Sequence, residues 1–413
     1  MTGGSTGTDT QEARARAEVA EVNAAAGPDP VRLGVLTPLT GPGDATAGEL
    51  ITRGARLGAE HVREHGGVLG GRQIAFVLQN DQDGAAAETM QRSCVGGIAK
   101  LAVYDRVTAV LGQWHLRTAP YVAEVAEAFG VPLFVENGHN TLTAERRRTV
   151  FRTYLSVADR TPMMVEFAVK QGWRRVAVLA ANTVFGLMCA DTLQEVAERT
   201  GADLEFLRFD FDQETTTDVR DQLRRIREWG PDVLFDSAVV RTNYMVINQA
   251  EEVGLLPGVP LMVAFPFPMR SADYWRLAGP AGNHVVWAAT PFRPSWPGLT
   301  PIGRWFVDRY AARYGSFPPD NALNAFTDVT ILARAVELAG SDDRDQVIAA
   351  LESGTFDTWR GPVRFERGAE HWHHSPPEFM LMQYTEVGQT VDDAVIVHPP
   401  EVATGPYERP DRR

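Results

Sequence analysis

Val31-Arg-Leu-Gly-Val-Leu-Thr-Pro-Leu-Thr-Gly-Pro-Gly43 decides the fold. Residues 32–36 form a short apolar run that reads as a buried strand, and the Gly/Pro loop at 40–43 stops it. Residues 48–64 then place small or apolar side chains at helical spacing. Strand, glycine-rich loop and helix together make the start of a βα unit. Working outward, the same alternation predicts strands at 73–79, 107–111 and 132–135, with helices at 85–104 and 118–129 between them. After Val150-Phe-Arg152 it restarts. Helices are expected at 160–171, 186–200, 217–229 and 244–253, and strands at 176–180, 203–209, 233–236 and 260–264. Beyond a strand at 284–289 come helices at 301–314 and 322–339, then strands at 362–365 and 379–384. Short apolar strands alternating with amphipathic helices predict an α/β fold with mostly parallel sheets covered by helices on both faces.

The composition of the 413 residues limits the functional classes. The formal charge is −13, which argues against gripping nucleic-acid phosphates as the main task. No stretch approaches the roughly 20 apolar residues that span a bilayer, so direct membrane insertion is not expected. Cys94 and Cys189 lie far apart and outside any CxxC pair, which disfavours a cysteine-built zinc site. Residues 1–30 differ from the rest, with a Gly/Thr/Ser-rich start expected to be disordered and a short helix at 11–26. The segment lacks the basic start and apolar core of a secretory signal, so the chain is expected to be cytoplasmic. A Gly/Ser/Thr-rich start also resembles the tether of a bacterial lipoprotein whose signal is missing, which would make it extracytoplasmic.

Several short stretches carry a family resemblance: Leu39-Thr-Gly-Pro-Gly43, Gly48, Gly54, Ala59, Gly66-Gly-Val-Leu-Gly-Gly-Arg72 and Asp105-Arg-Val-Thr-Ala-Val-Leu-Gly112. It continues through Gly130-Val-Pro132, Val150-Phe-Arg-Thr153, Phe185-Gly186, Gly230-Pro-Asp-Val233, Arg313-Tyr-Gly315 and Trp359-Arg-Gly-Pro-Val-Arg-Phe365. In this order along residues 31–398, the chain resembles the type I periplasmic binding proteins, in the leucine/isoleucine/valine-binding branch. The resemblance implies two Rossmann-like lobes joined by three hinge crossings and closing on one small ligand. Lobe 1 is then expected at 31–151 plus 290–345 and lobe 2 at 155–285 plus 355–398. Residues 1–30 form an N-terminal extension and 399–413 a C-terminal tail. It further implies ligand delivery to an ABC transporter permease, or, in a cytosolic branch, control of a regulatory protein. No cofactor is implied.

In open α/β sheets ligands bind beyond the carboxyl ends of the strands, which selects the loops to read. Asp44 follows the first strand and is a candidate for holding an ammonium group. After the third strand, Trp114 offers a broad apolar face and one N–H, and His115 a ring that can donate or accept a hydrogen bond; the alternative is a packed Trp and a surface His. The loop Glu136-Asn-Gly-His-Asn140 offers Glu136, Asn137, Gly138 and His139, or serves only as a helix-capping turn. Phe185 stands where the resemblance places a Tyr, so stacking replaces a hydroxyl contact, unless the ring is core. Arg241 at a helix start is suited to a carboxylate, or is simply solvated. Phe265-Pro-Phe-Pro268 forms a stiff apolar wall where the resemblance implies a glycine-rich turn. Together these residues favour an aromatic or apolar ligand with one polar or anionic end, or an amino-acid-like one.

His371-Trp-His-His374 is the one cluster with metal-like spacing, and it supports the rival reading of a metal-dependent hydrolase. No GxSxG, P-loop or HExxH pattern is present. The expected function is therefore solute capture without chemistry, for uptake or for sensing.

Overall fold

The computed structural model describes residues 5–41, 44–82, 85–239, 241–266, 268, 273–368 and 372–410, with side chains from residue 10 onward. In chain order, α1 (Ser5–Ala25) leads into β1 (Val31–Thr37), α2 (Ala45–Glu64), β2 (Ile74–Asn80), α3 (Ala87–Ala99), β3 (Ala109–Gln113), α4 (Ala119–Ala128), β4 (Leu133–Val135) and β5 (Val150–Phe151). The next run is α5 (Val157–Lys170), β6 (Arg175–Ala181), α6 (Val184–Thr200), β7 (Glu205–Phe211), α7 (Arg220–Trp229), β8 (Val233–Asp236), α8 (Arg241–Glu252), β9 (Leu261–Val263), α9 (Tyr274–Ala278) and β10 (Val286–Ala289). The chain continues through α10 (Pro301–Tyr314), α11 (Asp320–Ala339), α12 (Arg344–Ser353), β11 (Phe356–Thr358), β12 (Gly361–Val363), β13 (Met380–Gln383) and β14 (Val395–His398).

These elements form two compact units, Met1–Ser156 with Pro297–Pro377, and Val157–Trp296 with Glu378–Arg413. Among the described residues, unit 1 holds a five-stranded sheet in the order β2-β1-β3-β4-β5, parallel throughout. Unit 2 holds β14-β13-β10-β9-β8-β6-β7, in which β13 and β14 run antiparallel to their neighbours. The period-two alternation of the strands explains the double cover in unit 1. Leu33 and Val35 of β1 join a core with α2 and α11, whereas Leu36 faces a second core with α3 and α4.

The unit boundaries depart from the expected ones in four places. The N-terminal helix begins at Ser5 rather than residue 11 and lies on unit 1. There Asn23 exchanges two hydrogen bonds with Phe76, 2.9 Å to its carbonyl and 2.8 Å from its N–H, which satisfies the edge strand β2. Residues 290–296, expected in lobe 1, belong to unit 2, where the Arg293 guanidinium donates to the Ala394 carbonyl at 2.7 Å. Residues 355–377, expected in lobe 2, belong to unit 1 because Phe356, Val363 and Phe365 bury in its core beside Phe134 and Phe151. The C-terminal segment is part of unit 2, with Tyr407 edge-on to Phe167 and Trp173. The helix expected over 85–104 is α3 followed by a π-helical turn at Lys100–Tyr104.

Candidate functional site

In unit 1 the loops that follow β3 and β4 are locked together by Gln113. Gly112 takes φ +83, open to glycine at no steric cost, and the β3–β4 register shifts between Val110 and Gln113. The Gln113 carboxamide donates to the His115 carbonyl at 2.9 Å. The Gln113 backbone carbonyl accepts from Glu136 N–H at 3.0 Å and from the Asn137 amide at 3.1 Å. The Asn137 Oδ1 in turn accepts from His139 N–H at 3.1 Å. Asn137 is 1% exposed. Its amide therefore joins the two loops inside the unit. Glu136 and Gly138 are buried in the same loop.

Trp114 is half-buried, resting on the core that contains Phe134 and Phe151, and meets Tyr154 edge-on at 6.4 Å. The His115 carbonyl accepts from Ala119 N–H at 3.1 Å, and its Nδ1 accepts from Arg117 N–H at 3.2 Å, so this histidine organises the start of α4. Asp44 caps α2, accepting from Ala47 N–H at 3.2 Å. A helix-capping carboxylate answers exposed N–H groups of the first turn. His139 is half-buried. Burial first, and then the nearby Arg152 cation, hold its pKa below the ordinary histidine value.

In unit 2 the aromatic candidates come together. Phe185, half-buried in the first turn of α6, meets the buried Phe265 edge-on at 6.0 Å. The Arg160 guanidinium lies 5.9 Å from the Phe185 ring centre and donates to the Ala264 carbonyl at 3.0 Å. Arg160 is 2% exposed, whereas Arg241, the first residue of α8, is exposed. The β8 loop is tied in by Ser237, whose hydroxyl donates to the Gly186 carbonyl at 3.0 Å. Behind it Asp236 is fully buried, accepting from Ala238 N–H at 2.9 Å and from the Asn243 amide at 2.8 Å. Burial pushes its carboxyl up to about 7 against those donors.

Phe267 and His371 lie outside the described residues. Of the remaining histidines in that cluster, His373 is 3.0 Å from Glu352 and stacks on Phe151, and His374 accepts from Arg152. Among the described residues no group of three His, Cys, Asp or Glu side chains is gathered around a metal position.

Sequence reasoning missed Gln113, Arg152, Tyr154 and Arg160. Arg152 stood in view in Val150-Phe-Arg-Thr153, where a charge directly after two buried strand residues signals a buried cation needing partners. Arg160 carried no comparable signal, since its place beside Phe185 depends on tertiary folding.

Helix-covered parallel sheets, with aromatic and polar loops at the strand carboxyl ends, define an α/β solute-binding protein of the type I periplasmic class. The sequence profile of the periplasmic binding protein family matches residues 30–389, and the chain belongs to that family. It is 23% identical over 340 residues to the leucine-, isoleucine-, valine-, threonine- and alanine-binding protein of Pseudomonas aeruginosa, covering 82% of this chain and 86% of that one. Two solved structures share the fold. A leucine-binding protein of Thermotoga maritima aligns with TM-score 0.73 and 18% identity, covering 90% of this chain and 99% of its own. An ABC transporter solute-binding protein of R. palustris, in complex with benzoate, aligns with TM-score 0.73 and 21% identity, covering 88% and 95%. The family is one of periplasmic binding proteins, and the curated relative is named for the amino acids it binds.

Proposed function

We propose that this chain captures a small organic carboxylate with an aromatic or branched apolar body and delivers it, chemically unaltered, to an ABC transporter permease. The observation that carries the reading is the grouping of Phe185, Phe265 and Arg160 at the strand ends of unit 2. Two rings supply an apolar face, and the guanidinium beside them supplies the charge that a carboxylate needs when it leaves water. In unit 1, Trp114 with Tyr154 offers a second aromatic surface, and Gln113 beside it is bonded to the loop that carries Glu136, Gly138 and His139. Arg160 takes the anion-binding role in this reading, in place of the exposed Arg241. Relatives named for leucine, isoleucine and valine, and one bound to benzoate, support carboxylates with apolar bodies as the class.

The test is a thermal-shift screen over branched-chain amino acids, amides, ureas and aromatic acids, with mass spectrometry of any co-purified compound. An apolar carboxylate should raise the melting temperature and be recovered intact. A screen in which only ureas or amides stabilise would overturn the solute class, and recovery of a converted compound would overturn the binding-only role. Hinge closure is proposed as the means of capture. It requires the radius of gyration in solution scattering to fall when solute is added.

A further inference from the structure

One face of α11 carries polar side chains that nothing above uses. Asn321, Asn324 and Asp328 fall at spacings of three and four residues, so they line a single stripe. Asn321 is 0% exposed and Asp328 1% exposed, while Asn324 is half-buried. Among the described residues, Asn321 Oδ1 and Nδ2, Asn324 Nδ2 and Asp328 Oδ2 find no hydrogen-bond partner. Only the other Asp328 oxygen is occupied, accepting from the Thr153 hydroxyl at 2.8 Å. Buried polar atoms in native proteins are nearly always matched by protein, water or ligand. Four unmatched atoms in one row therefore call for partners from water or from a ligand.

The stripe lies at the strand end where the solute loops are. A Cβ on Gly54 would come within 2.0 Å of the Ala322 carbonyl oxygen, and one on Gly58 within 2.7 Å of Val329. Residue numbers rise together in the two helices, so α11 and α2 run in the same direction, with the first half of α11 beside the middle of α2. Thr153 lies two residues past the carboxyl end of β5, so its bond to Asp328 sets the first half of α11 at that strand end. Thr153, bonded to Asp328, directly precedes Tyr154, the ring that meets Trp114.

We propose that Asn321, Asn324 and Asp328 form a polar subsite of unit 1 that takes a neutral hydroxyl or carboxamide group of the solute. This rests on the solute-binding reading above and narrows its substrate class. The chemistry of the unmatched atoms selects the group. An ammonium only donates, and would leave both carboxamide Nδ2 donors unmatched. A carboxylate only accepts, and would leave Asn321 Oδ1 unmatched. A hydroxyl or carboxamide does both. Burial pushes the Asp328 carboxyl up to about 8, so at neutral pH it is largely protonated and the stripe has little net charge.

The test compares solutes that differ mainly by one hydroxyl: benzoate with 4-hydroxybenzoate, and valine with the near-isosteric threonine. Calorimetric titration of the wild-type chain should show the hydroxylated member of the binding pair about tenfold tighter or better. Asn321→Leu should bring that ratio to within about twofold while the bare member keeps its affinity. Should Asn321→Leu fail to fold, Asn324→Leu at the half-buried position carries the comparison. Equal affinities in the wild-type chain, or a preference that survives substitution, would mean that the stripe holds water only and would overturn the subsite. Binding of a bare member without hydroxyl preference leaves the solute-binding reading standing. Failure of all four to bind overturns both the subsite and the carboxylate class.

Discussion

The Arg152 guanidinium donates to the His139 backbone carbonyl at 2.6 Å. It also reaches the Thr143 hydroxyl at 2.8 Å and His374 Nδ1 at 3.1 Å. The Arg152 backbone pairs with residues 373–375, its N–H donating to the His373 carbonyl and its carbonyl accepting from Ser375 N–H. One buried cation thus joins the exit of β5, the loop after β4 and the segment after β12.

Arg152→Met keeps much of the side-chain volume and removes all three guanidinium bonds. Hydrogen bonds to a charged group contribute roughly 1.5–3 kcal/mol each, so a loss of at least about 3 kcal/mol is expected in urea denaturation. Arg152→Lys restores a charge without the planar fork and should recover only part of it. Solute affinity should fall as well, because the freed loop carries His139. Destabilisation with unchanged affinity would separate this loop from the solute.

Asp236 sets a pH dependence whose sign follows from its raised pKa. Its folded value, up to about 7, lies above the unfolded value, so the folded state holds the extra proton between roughly pH 4 and 7. Stability should therefore decline as pH rises through that window, by roughly 4 kcal/mol at most at 1.36 kcal/mol per pKa unit. Asp236→Asn should flatten the slope and be the more stable form at pH 8. The neighbouring Asn243 Oδ1, which has no partner among the described residues, can accept from the new amide once the Asn243 carboxamide turns over. Denaturation midpoints at pH 5 and pH 8 for both proteins check this, and parallel profiles would contradict it.

The fold was legible because hydrophobic period and glycine punctuation are local signals. The strand from Arg32 to Leu36 and the helix from Pro301 to Tyr314 need no distant partner to be read. Strand ends also located the loops, and Trp114, Phe185 and Phe265 were visible as aromatics where apolar surface is useful. What stayed hidden depends on distant contacts. The bonds between Asn137 and Gln113 join two loops that lie 24 residues apart, and neither loop alone announces them. Asn321 and Asp328 read as ordinary helix positions, and their burial without partners appears only in three dimensions.

Trp114→Ala and Phe185→Ala should each weaken solute binding more than tenfold, about 1.4 kcal/mol. Each removes an aromatic face, and Phe185 also leaves Phe265 without its edge contact. Arg241→Ala should change affinity by less than about twofold, because its side chain is solvent-exposed. Calorimetry with the best compound of the screen decides between them. A large Arg241 effect beside small aromatic effects would reverse the assignment.

Two glycines test the helix packing that places the α11 stripe. At Gly54 an added Cβ would lie 2.0 Å from the Ala322 carbonyl oxygen, backbone against backbone, so α2 must move away from α11. Overpacking of this kind costs about 1–3 kcal/mol, and Gly54→Ala should lose at least that in denaturation. Gly96 in α3 is the control, with nothing within 4 Å of an added Cβ. There the change only removes backbone freedom from the unfolded chain, so Gly96→Ala should gain roughly 0.5–1 kcal/mol. Because the Gly54 contact also fixes where Asn321 stands, Gly54→Ala should reduce any preference for a hydroxylated solute. Gly96→Ala should leave that preference intact. If both substitutions shift stability in the same direction, the close approach of α2 to α11 is refuted, and with it the placement of the polar stripe.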